Sequence, residues 1–341
     1  MNFKTALKSS IQLLFVLATY SLSMNNIALA NDEPERKNNS AKIKTEEIDL
    51  YHAAKQRPIK LDLWYQEKTC KGQGCTQTLA QKTNVAILSH GAMGSAKDYS
   101  WLAYPLAAQG WIVVGLNHFG ESWRYGGQNI DPSSVMRFWQ RTEDVSYVVD
   151  SFDSFLPEGL AASNPNIVVI GHSSGGYTAA SLAGVTLDAQ QIYQYCSSDR
   201  AKGDLGCSYK GDQGSAQSPA TDPSIWSGLD SRITGIVMLD PALGPASTIS
   251  SLNEVELPTL VIGSKDNDFL PFDYHANYYA QHIPKAKLIA LDNGEGHFVY
   301  INSCDNDYKA RGVSLCRDRE GVDRDAVQRK MVGNILRFLT E

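Results

Sequence analysis

The chain has 341 residues, a formal net charge of −6 and a hydrophobic content of 43%. This mild acidity argues against nucleic acid or an anionic membrane surface as the main partner. The length is sufficient for a single α/β domain with a large buried core.

Residues 1–30 have the features of a secretory signal peptide. Lys4 and Lys8 precede an apolar segment at 11–22, and Ala28-Leu29-Ala30 forms a small-residue cleavage site. The apolar segment is too short for a helix that spans a bilayer, and no longer apolar run follows it. The sequence therefore predicts export, to the periplasm or beyond, with cleavage near Ala30 and no integral membrane segment in the mature chain. The alternative is an uncleaved membrane anchor.

Residues 31–45 are polar and charged, which predicts a flexible leader before a folded domain at 46–341. All six cysteines follow the signal peptide, and an even number in an exported chain predicts disulfide bonds. Because the cysteines fall into three local pairs, we predict the bonds Cys70–Cys75, Cys196–Cys207 and Cys304–Cys316. A zinc site would need C-x-x-C spacing and nearby histidines, which the sequence lacks.

Strand patterns and helix patterns alternate along the chain. The predicted elements, in order, are a half-exposed antiparallel strand at 57–66, a strand at 85–88, a helix at 98–109, a strand at 111–114, a helix at 135–155, a strand at 167–170 with a helix after it, strands at 236–239, 260–262 and 288–291, and a helix at 325–339. This order predicts an α/β fold with a mostly parallel central sheet covered by helices on both faces. The polar segment 186–230 interrupts it, and is either a lid over the site or a surface excursion.

The segment "IVVIGHSSGGYTAASLAG" at 167–184 contains a G-x-S-x-G motif between a buried strand and a small-residue helix. In that context Ser173 is predicted to sit on a sharp, strained turn as a nucleophile. Gly171 and Gly175 flank it because side chains there would collide with the crossing backbone.

A serine nucleophile needs a base, an acid and oxyanion donors from loops at the carboxyl ends of strands. The backbone N–H groups of Ala92, in "LSHGAMGS", and of Ser174 are the predicted donors. His297, on a glycine-bracketed loop after the last strand, is the predicted base. For the acid, loop position favours Asp266 over the alternates Asp240 and Asp268, and all three keep the chain order Ser, Asp, His.

With these residues in place, the chain resembles the α/β-hydrolases of the platelet-activating-factor acetylhydrolase type, and in particular the bacterial group of predicted dienelactone hydrolases. The resemblance runs over most of the mature chain and is carried by "RPIKLDLWY", "LSHGAMGSAKDYSWLAYPLAAQGWIVV", "RTEDVSYVVD", "VIGHSSGGYTAASLAG", "DPALGP" and "GHF".

The resemblance implies a cofactor-free, metal-free serine esterase that acts on small or short-acyl carboxylic esters. Dienelactone hydrolases have cysteine at the nucleophile position, and Ser173 here favours ester hydrolysis over lactone opening. The animal acetylhydrolases carry their acid after the strand that ends at Asp240, whereas the bacterial relatives carry it after the next strand. This chain has an aspartate at both places, so the acid stays open.

Aromatic residues are predicted near the mouth of the site, where an apolar pocket could bind an acyl or aryl group, and these are Trp101, Trp123, Tyr125, Phe138, Trp139, Tyr177, Phe269 and Phe298. Two other functions remain open: a lipase or polyester hydrolase, and a non-catalytic exported binding module on the same scaffold. The sequence does not fix the oligomeric state.

Overall fold

A computed structural model describes residues 42–67, 83–157, 164–209 and 224–341. The predicted signal peptide, most of the predicted leader and the pair Cys70–Cys75 lie outside these ranges. The strands of the described residues are β1 (Ile43–His52), β2 (Arg57–Gln66), β3 (Asn84–Ser89), β4 (Ile112–Asn117), β5 (Asn166–His172), β6 (Thr186–Asp188), β7 (Ile225–Ser227), β8 (Ile233–Leu239), β9 (Thr259–Ser264), β10 (Ala286–Leu291), β11 (Lys309–Ala310) and β12 (Val313–Ser314). The helices are α1 (Ser100–Ala108), α2 (Phe138–Asp150), α3 (Phe152–Phe155), α4 (Ser174–Leu182), α5 (Ala189–Cys196), α6 (Ile249–Asn253), α7 (Ala276–His282) and α8 (Arg324–Leu339).

Eight of these strands form one sheet in the order β1-β2-β4-β3-β5-β8-β9-β10. The first two strands pair antiparallel with each other, and β2 pairs antiparallel with β4. All the remaining pairings are parallel. The prediction of a mostly parallel central sheet is confirmed. The carboxyl ends of β3, β5, β8, β9 and β10 therefore lie along one edge, where their loops can meet.

Each central strand is buried on both faces because helices cover both sides of the sheet. Along β3, Val85 and Ile87 pack into a core with α2 and α4, whereas Ala86 and Leu88 pack into a second core with α1 and α8. The alternation follows from the two-residue period of a strand. It explains why the central strands read as continuous apolar runs in the sequence.

Two predicted boundaries are wrong. Strand β1 begins at Ile43, inside the segment 31–45 that was predicted to be a flexible leader, and pairs with β2 from that residue onward. The predicted helix at 135–155 is divided into a 3₁₀ turn at Pro132–Met136 and the helices α2 and α3.

Two of the predicted disulfide bonds, Cys196–Cys207 and Cys304–Cys316, are confirmed. Both close short loops, and disulfides of this kind fit an exported protein. Within the described ranges, none of the helices has the length and apolar character needed to cross a bilayer.

Candidate active site

Ser173 occupies a strained turn between β5 and α4. Its φ is 53° and its ψ is −113°, a conformation that side-chain-bearing residues rarely adopt. A Cβ atom at Gly171 would overlap the carbonyl group of Gly175, and one at Gly175 would overlap the carbonyl group of Ser89. The two glycines therefore let α4 start directly against the ends of β3 and β5. This geometry is the one that the motif predicts for a serine held at the top of a sheet.

The loop after β3 lies beside Ser173. A tight turn is closed by a 3.2 Å hydrogen bond from the N–H of Gly94 to the carbonyl of Gly91, and Ala92 is a central residue of this turn. Ser174 is the first residue of α4, so its N–H has no acceptor within the helix. Ala92, Ser173 and Ser174 line the same cleft. The two residues predicted to supply oxyanion donors thus border the same cleft as the serine.

His297 begins a 3₁₀ turn after β10 and lines the same cleft as Ser173. Its ring stacks on Phe269, with ring centroids 5.2 Å apart and planes inclined by 15°. Burial lowers the pKa of His297 to about 3, so the imidazole is neutral at pH 7. A neutral imidazole is the form that can accept a proton from a hydroxyl group.

Asp240, at the end of β8, is the aspartate that the structure places beside the His297 ring. Its Oδ2 atom lies 3.6 Å from His297 Nδ1, and both side chains are buried. Asp266, which loop position favoured, is exposed and offers only its backbone carbonyl, to Arg319 Nη1 at 2.7 Å. Of the two, Asp240 and not Asp266 therefore has the carboxylate that lies beside the His297 ring, contrary to the order that loop position predicts.

The carboxylate of Asp240 is only partly satisfied. Its Oδ1 atom accepts a 2.8 Å hydrogen bond from the N–H of Ser264, whereas its buried Oδ2 atom has no hydrogen-bond partner among the described residues. Burial raises the pKa of Asp240 to about 8, against the lowering effect of the Ser264 N–H group. At 3.6 Å the contact with His297 is longer than a hydrogen bond. Catalytic hydrogen bonds are often long in the free enzyme and tighten when substrate binds.

Two neighbours in the loop after β9 position His297. Asp268, the third acid candidate, accepts a 3.0 Å hydrogen bond from the backbone N–H of His297 and so holds the main chain rather than the ring. Asn267 Nδ2 lies 3.2 Å from His297 Nδ1. The Oδ1 atom of Asn267 accepts from the N–H groups of Phe269 and Leu270, which fixes the orientation of its amide. The role of Asn267 was missed, although an Asn followed by such a turn is a recognisable sequence signal.

A buried hydrogen-bonded chain connects the oxyanion loop with the histidine loop. The N–H of Gly91 donates to Tyr99 Oη at 3.0 Å, and Tyr99 Oη lies 2.8 Å from His172 Nδ1. The other nitrogen of that ring, His172 Nε2, lies 3.0 Å from the carbonyl of His297. Burial keeps the pKa of His172 well below its usual value, so the ring is neutral and donates from Nε2. No local sequence signal predicts these hydrogen bonds, because they depend on packing across the sheet.

The cleft in front of Ser173 has a volume of about 970 Å³. Of the aromatic residues predicted at its mouth, Trp123, Tyr177, Phe269 and Phe298 line it. The predicted residues Trp101, Tyr125, Phe138 and Trp139 do not line it, and Phe138 is packed in a separate buried cluster.

Backbone strain is concentrated around this cleft. Among the described residues, six other than glycine have a positive φ, and five of them line the cleft or contact its histidine, namely Met93, Ser173, Asp240, Leu243 and Arg311. Such strain costs about 1–3 kcal/mol per residue and persists where the surrounding structure enforces it, commonly at functional sites. The strained residues make the cleft the candidate functional region without reference to any motif.

The described residues define a mixed α/β protein with a strained serine, a buried neutral histidine and a buried aspartate at the carboxyl edge of a mostly parallel sheet. Neither a scan against models of protein families nor a search of curated proteins finds a match. Within the described ranges, no group of three or more His, Cys, Asp or Glu side chains is arranged to hold a metal ion.

Proposed function

We propose that this protein is an exported serine hydrolase of the α/β-hydrolase fold that cleaves carboxylic esters through an acyl-enzyme. The observation that carries the proposal is Ser173 at φ 53°, facing the same cleft as the neutral imidazole of His297. Backbone strain at a serine has little structural use by itself, whereas it presents a hydroxyl group to a ligand. The resemblance to platelet-activating-factor acetylhydrolase-like enzymes agrees with this reaction.

In the proposed reaction, Ser173 Oγ attacks the ester carbonyl carbon as His297 takes the hydroxyl proton on Nε2. The N–H groups of Ala92 and Ser174 stabilise the negative oxygen of the tetrahedral intermediate. The C–O bond to the alcohol then breaks, and His297 returns the proton to the departing alcohol. A water molecule then attacks the carbonyl carbon of the acyl-enzyme as His297 takes one of its protons. The bond between that carbon and Ser173 Oγ breaks, His297 returns the proton to Ser173, and the carboxylic acid leaves. For this step His297 must carry its own proton on Nδ1, facing Asp240, so the Asn267 amide that donates to an unprotonated Nδ1 has to give way to the carboxylate. Asp240 then orients His297 through Nδ1 and stabilises the imidazolium while it exists.

The proposal is tested with a p-nitrophenyl ester series from acetate to palmitate, comparing the wild type with Ser173→Ala. We expect the substitution to lower kcat/KM by at least about 10⁴-fold for every ester that the wild type hydrolyses. A fluorophosphonate probe should label the wild type on the peptide that contains residue 173 and should not label the variant.

The matched control is Ser89→Ala, because Ser89 is also a serine beside a histidine but is buried away from the cleft. Retained turnover and labelling are expected there. Ester turnover that survives in Ser173→Ala would refute the proposal. A wild type that neither turns over esters nor reacts with the probe would instead support the non-catalytic binding module.

A further inference from the structure

The segment 186–230, predicted to be either a lid or a surface excursion, is divided in the structure. The described residues at its carboxyl-terminal end, 224–230, do not line the cleft. There, β7 pairs with β6, and Trp226 Nε1 donates to Thr142 Oγ1 at 2.8 Å. Residues 189–209, which we call the cap, contribute Ile192, Cys196 and Tyr209 to the wall of the cleft. Among the described residues of this segment, only those of the cap line the cleft.

The cap is bonded to the segment after β9, which carries the residues that contact His297. The carboxylate of Asp204 lies 2.7 Å from His275 Nε2, and both side chains are buried. Beside this pair, the N–H of Leu205 donates to the carbonyl of Phe269 at 2.9 Å. Since Phe269 stacks on His297, the cap is joined to the catalytic histidine through one intervening side chain.

Disulfide bonds and a cation–π contact close the cap on the other sides. Cys196–Cys207 ties the end of α5 to the last turn of the cap. The guanidinium of Arg311 lies 5.3 Å from the ring centroid of Tyr209. Arg311 belongs to the loop that the second disulfide, Cys304–Cys316, closes. These contacts hold the cap in place, so the cap forms one wall of the cleft in the structure as it stands.

The enclosed space is larger than a short acyl ester requires. At about 970 Å³ the cleft lies at the upper end of ligand pockets, which span roughly 300–1,000 Å³. Its wall next to the cap is mostly apolar, with Ile192, Leu270 and Phe269 facing the cleft beside Asp204 and His275. The Asp204 carboxylate lies 2.7 Å from His275 Nε2, so these two polar side chains are bonded to each other within the wall.

Resting on the proposed ester hydrolysis at Ser173, we propose that the cap makes this cleft selective for esters with a bulky apolar acyl chain over acetyl esters. Asp204 and His275 are positioning residues that hold the cap in place. Contact with the cap is available only to substrates that extend past the reacting carbonyl, so the selectivity should appear in substrate binding.

The test compares kcat/KM for p-nitrophenyl octanoate and acetate. We expect the wild type to favour octanoate by roughly tenfold or more, as extra methylenes enter an apolar pocket. Asp204→Ala should reduce that ratio by about tenfold, mainly through a higher KM for octanoate. The conservative variant Asp204→Asn, whose amide oxygen can still accept from His275 Nε2–H, should recover much of the ratio.

Asp230→Ala is the matched control. It removes an equally buried carboxylate, paired with Arg232, at the end of the same segment remote from the cleft. Its ratio should equal that of the wild type. If Asp204→Ala fails to fold, Ile192→Ala tests the same wall with the Asp204–His275 pair intact, and should lower the ratio in the same direction.

A wild type that prefers acetate, or cap variants with an unchanged ratio, would overturn this inference while leaving ester hydrolysis intact. Failure of the proposed function gives a different result, namely no turnover of either ester and no fluorophosphonate labelling of Ser173.

Discussion

Two groups of serine, histidine and aspartate lie at the carboxyl edge of the sheet, and only one of them faces a cleft. In the buried group, Ser89 Oγ lies 3.0 Å from His118 Nε2, and His118 Nδ1 lies 3.0 Å from Asp144 Oδ2. In the cleft-facing group, His297 Nδ1 and Asp240 Oδ2 are 3.6 Å apart. By hydrogen-bond geometry alone, the buried group is the better catalytic triad.

The surroundings of the two groups reverse that ranking. All three buried side chains are at most 2% exposed, and none of them lines the cleft. Asp144 is also bonded by the guanidinium of Arg57, at 2.6 and 3.0 Å. Arg141 Nη1 lies 3.4 Å from Ser89 Oγ, so the serine oxygen already has a guanidinium group beside it. The polar atoms of this group are bonded to one another and to the two arginines, which stabilises the fold. Because the group is buried, a substrate has no access to its serine.

The cleft-facing group has the backbone strain and the incomplete hydrogen bonding that the buried group lacks. Its serine and its aspartate both have a positive φ, and one oxygen of the aspartate has no hydrogen-bond partner within the described ranges. Incomplete hydrogen bonding and backbone strain destabilise the folded state. The comparison shows that access and stored strain, rather than short distances, distinguish the candidate active site.

The largest effect expected beyond Ser173 itself is at Asp240. Asp240→Asn keeps an acceptor for the Ser264 N–H group but removes the carboxylate that would orient and stabilise His297. We expect kcat to fall by about 10³–10⁴-fold on the best p-nitrophenyl ester. Asp266→Asn is the control, and because that side chain is exposed, kcat should change by less than about twofold. The reverse pattern of the two variants would restore Asp266 as the acid.

The sequence predicts the serine and the histidine because each carries a local signal. Ser173 lies in a motif whose glycines are required by the close approach of α4, and His297 follows the last strand of the sheet. The acid carries no such signal. Asp240 and Asp266 both follow central strands in the right chain order, and the choice depends on which one turns inward. The loop after β9 turns Asn267 inward, held by the N–H groups of Phe269 and Leu270, and leaves Asp266 in solvent.

The edge strand β1 is a second element whose position the sequence predicts poorly. The first three residues of strand β1 fall in the predicted leader because residues 31–45 are polar and charged. Along the strand, the alternation of apolar and polar residues is interrupted at Glu46. That side chain is half-buried and accepts a hydrogen bond at 2.7 Å from Tyr65 in the neighbouring strand β2. A polar residue therefore occupies a partly buried position of the strand. Central strands need apolar side chains on both faces, and their positions are therefore predicted better than that of an edge strand.

The pH dependence of kcat/KM sharpens the comparison further. The active form needs Asp240 ionised and His297 neutral. Burial raises the pKa of Asp240 to about 8 and lowers that of His297 to about 3, so the pair retains one proton between these values. The last proton leaves as the pH rises through about 8. We expect log kcat/KM to rise with unit slope up to that pH and then to level off, instead of levelling near 6.5 as for an ordinary histidine.

This profile is measured with the rate of Ser173→Ala subtracted at each pH, because p-nitrophenyl esters hydrolyse spontaneously in alkali. Asp266→Asn should give the same midpoint as the wild type, and Asp240→Asn should lose the step near pH 8. A plateau that begins near pH 6.5 in the wild type would contradict the assignment of a raised pKa to the pair.

The smallest expected effect on catalysis is at the buried group. Ser89→Ala leaves His118 Nε2 without its partner in a fully buried position, so the free energy of unfolding should fall by about 1–3 kcal/mol. Urea denaturation measures this loss, and kcat/KM of the folded variant should stay within about twofold of the wild type. A loss of more than tenfold in kcat/KM without unfolding would mean that the buried group takes part in the reaction. Since Ser89 lies in the regular strand β3 and Ser173 does not, an effect confined to stability would tie reactivity to the strained turn and not to the presence of a neighbouring histidine.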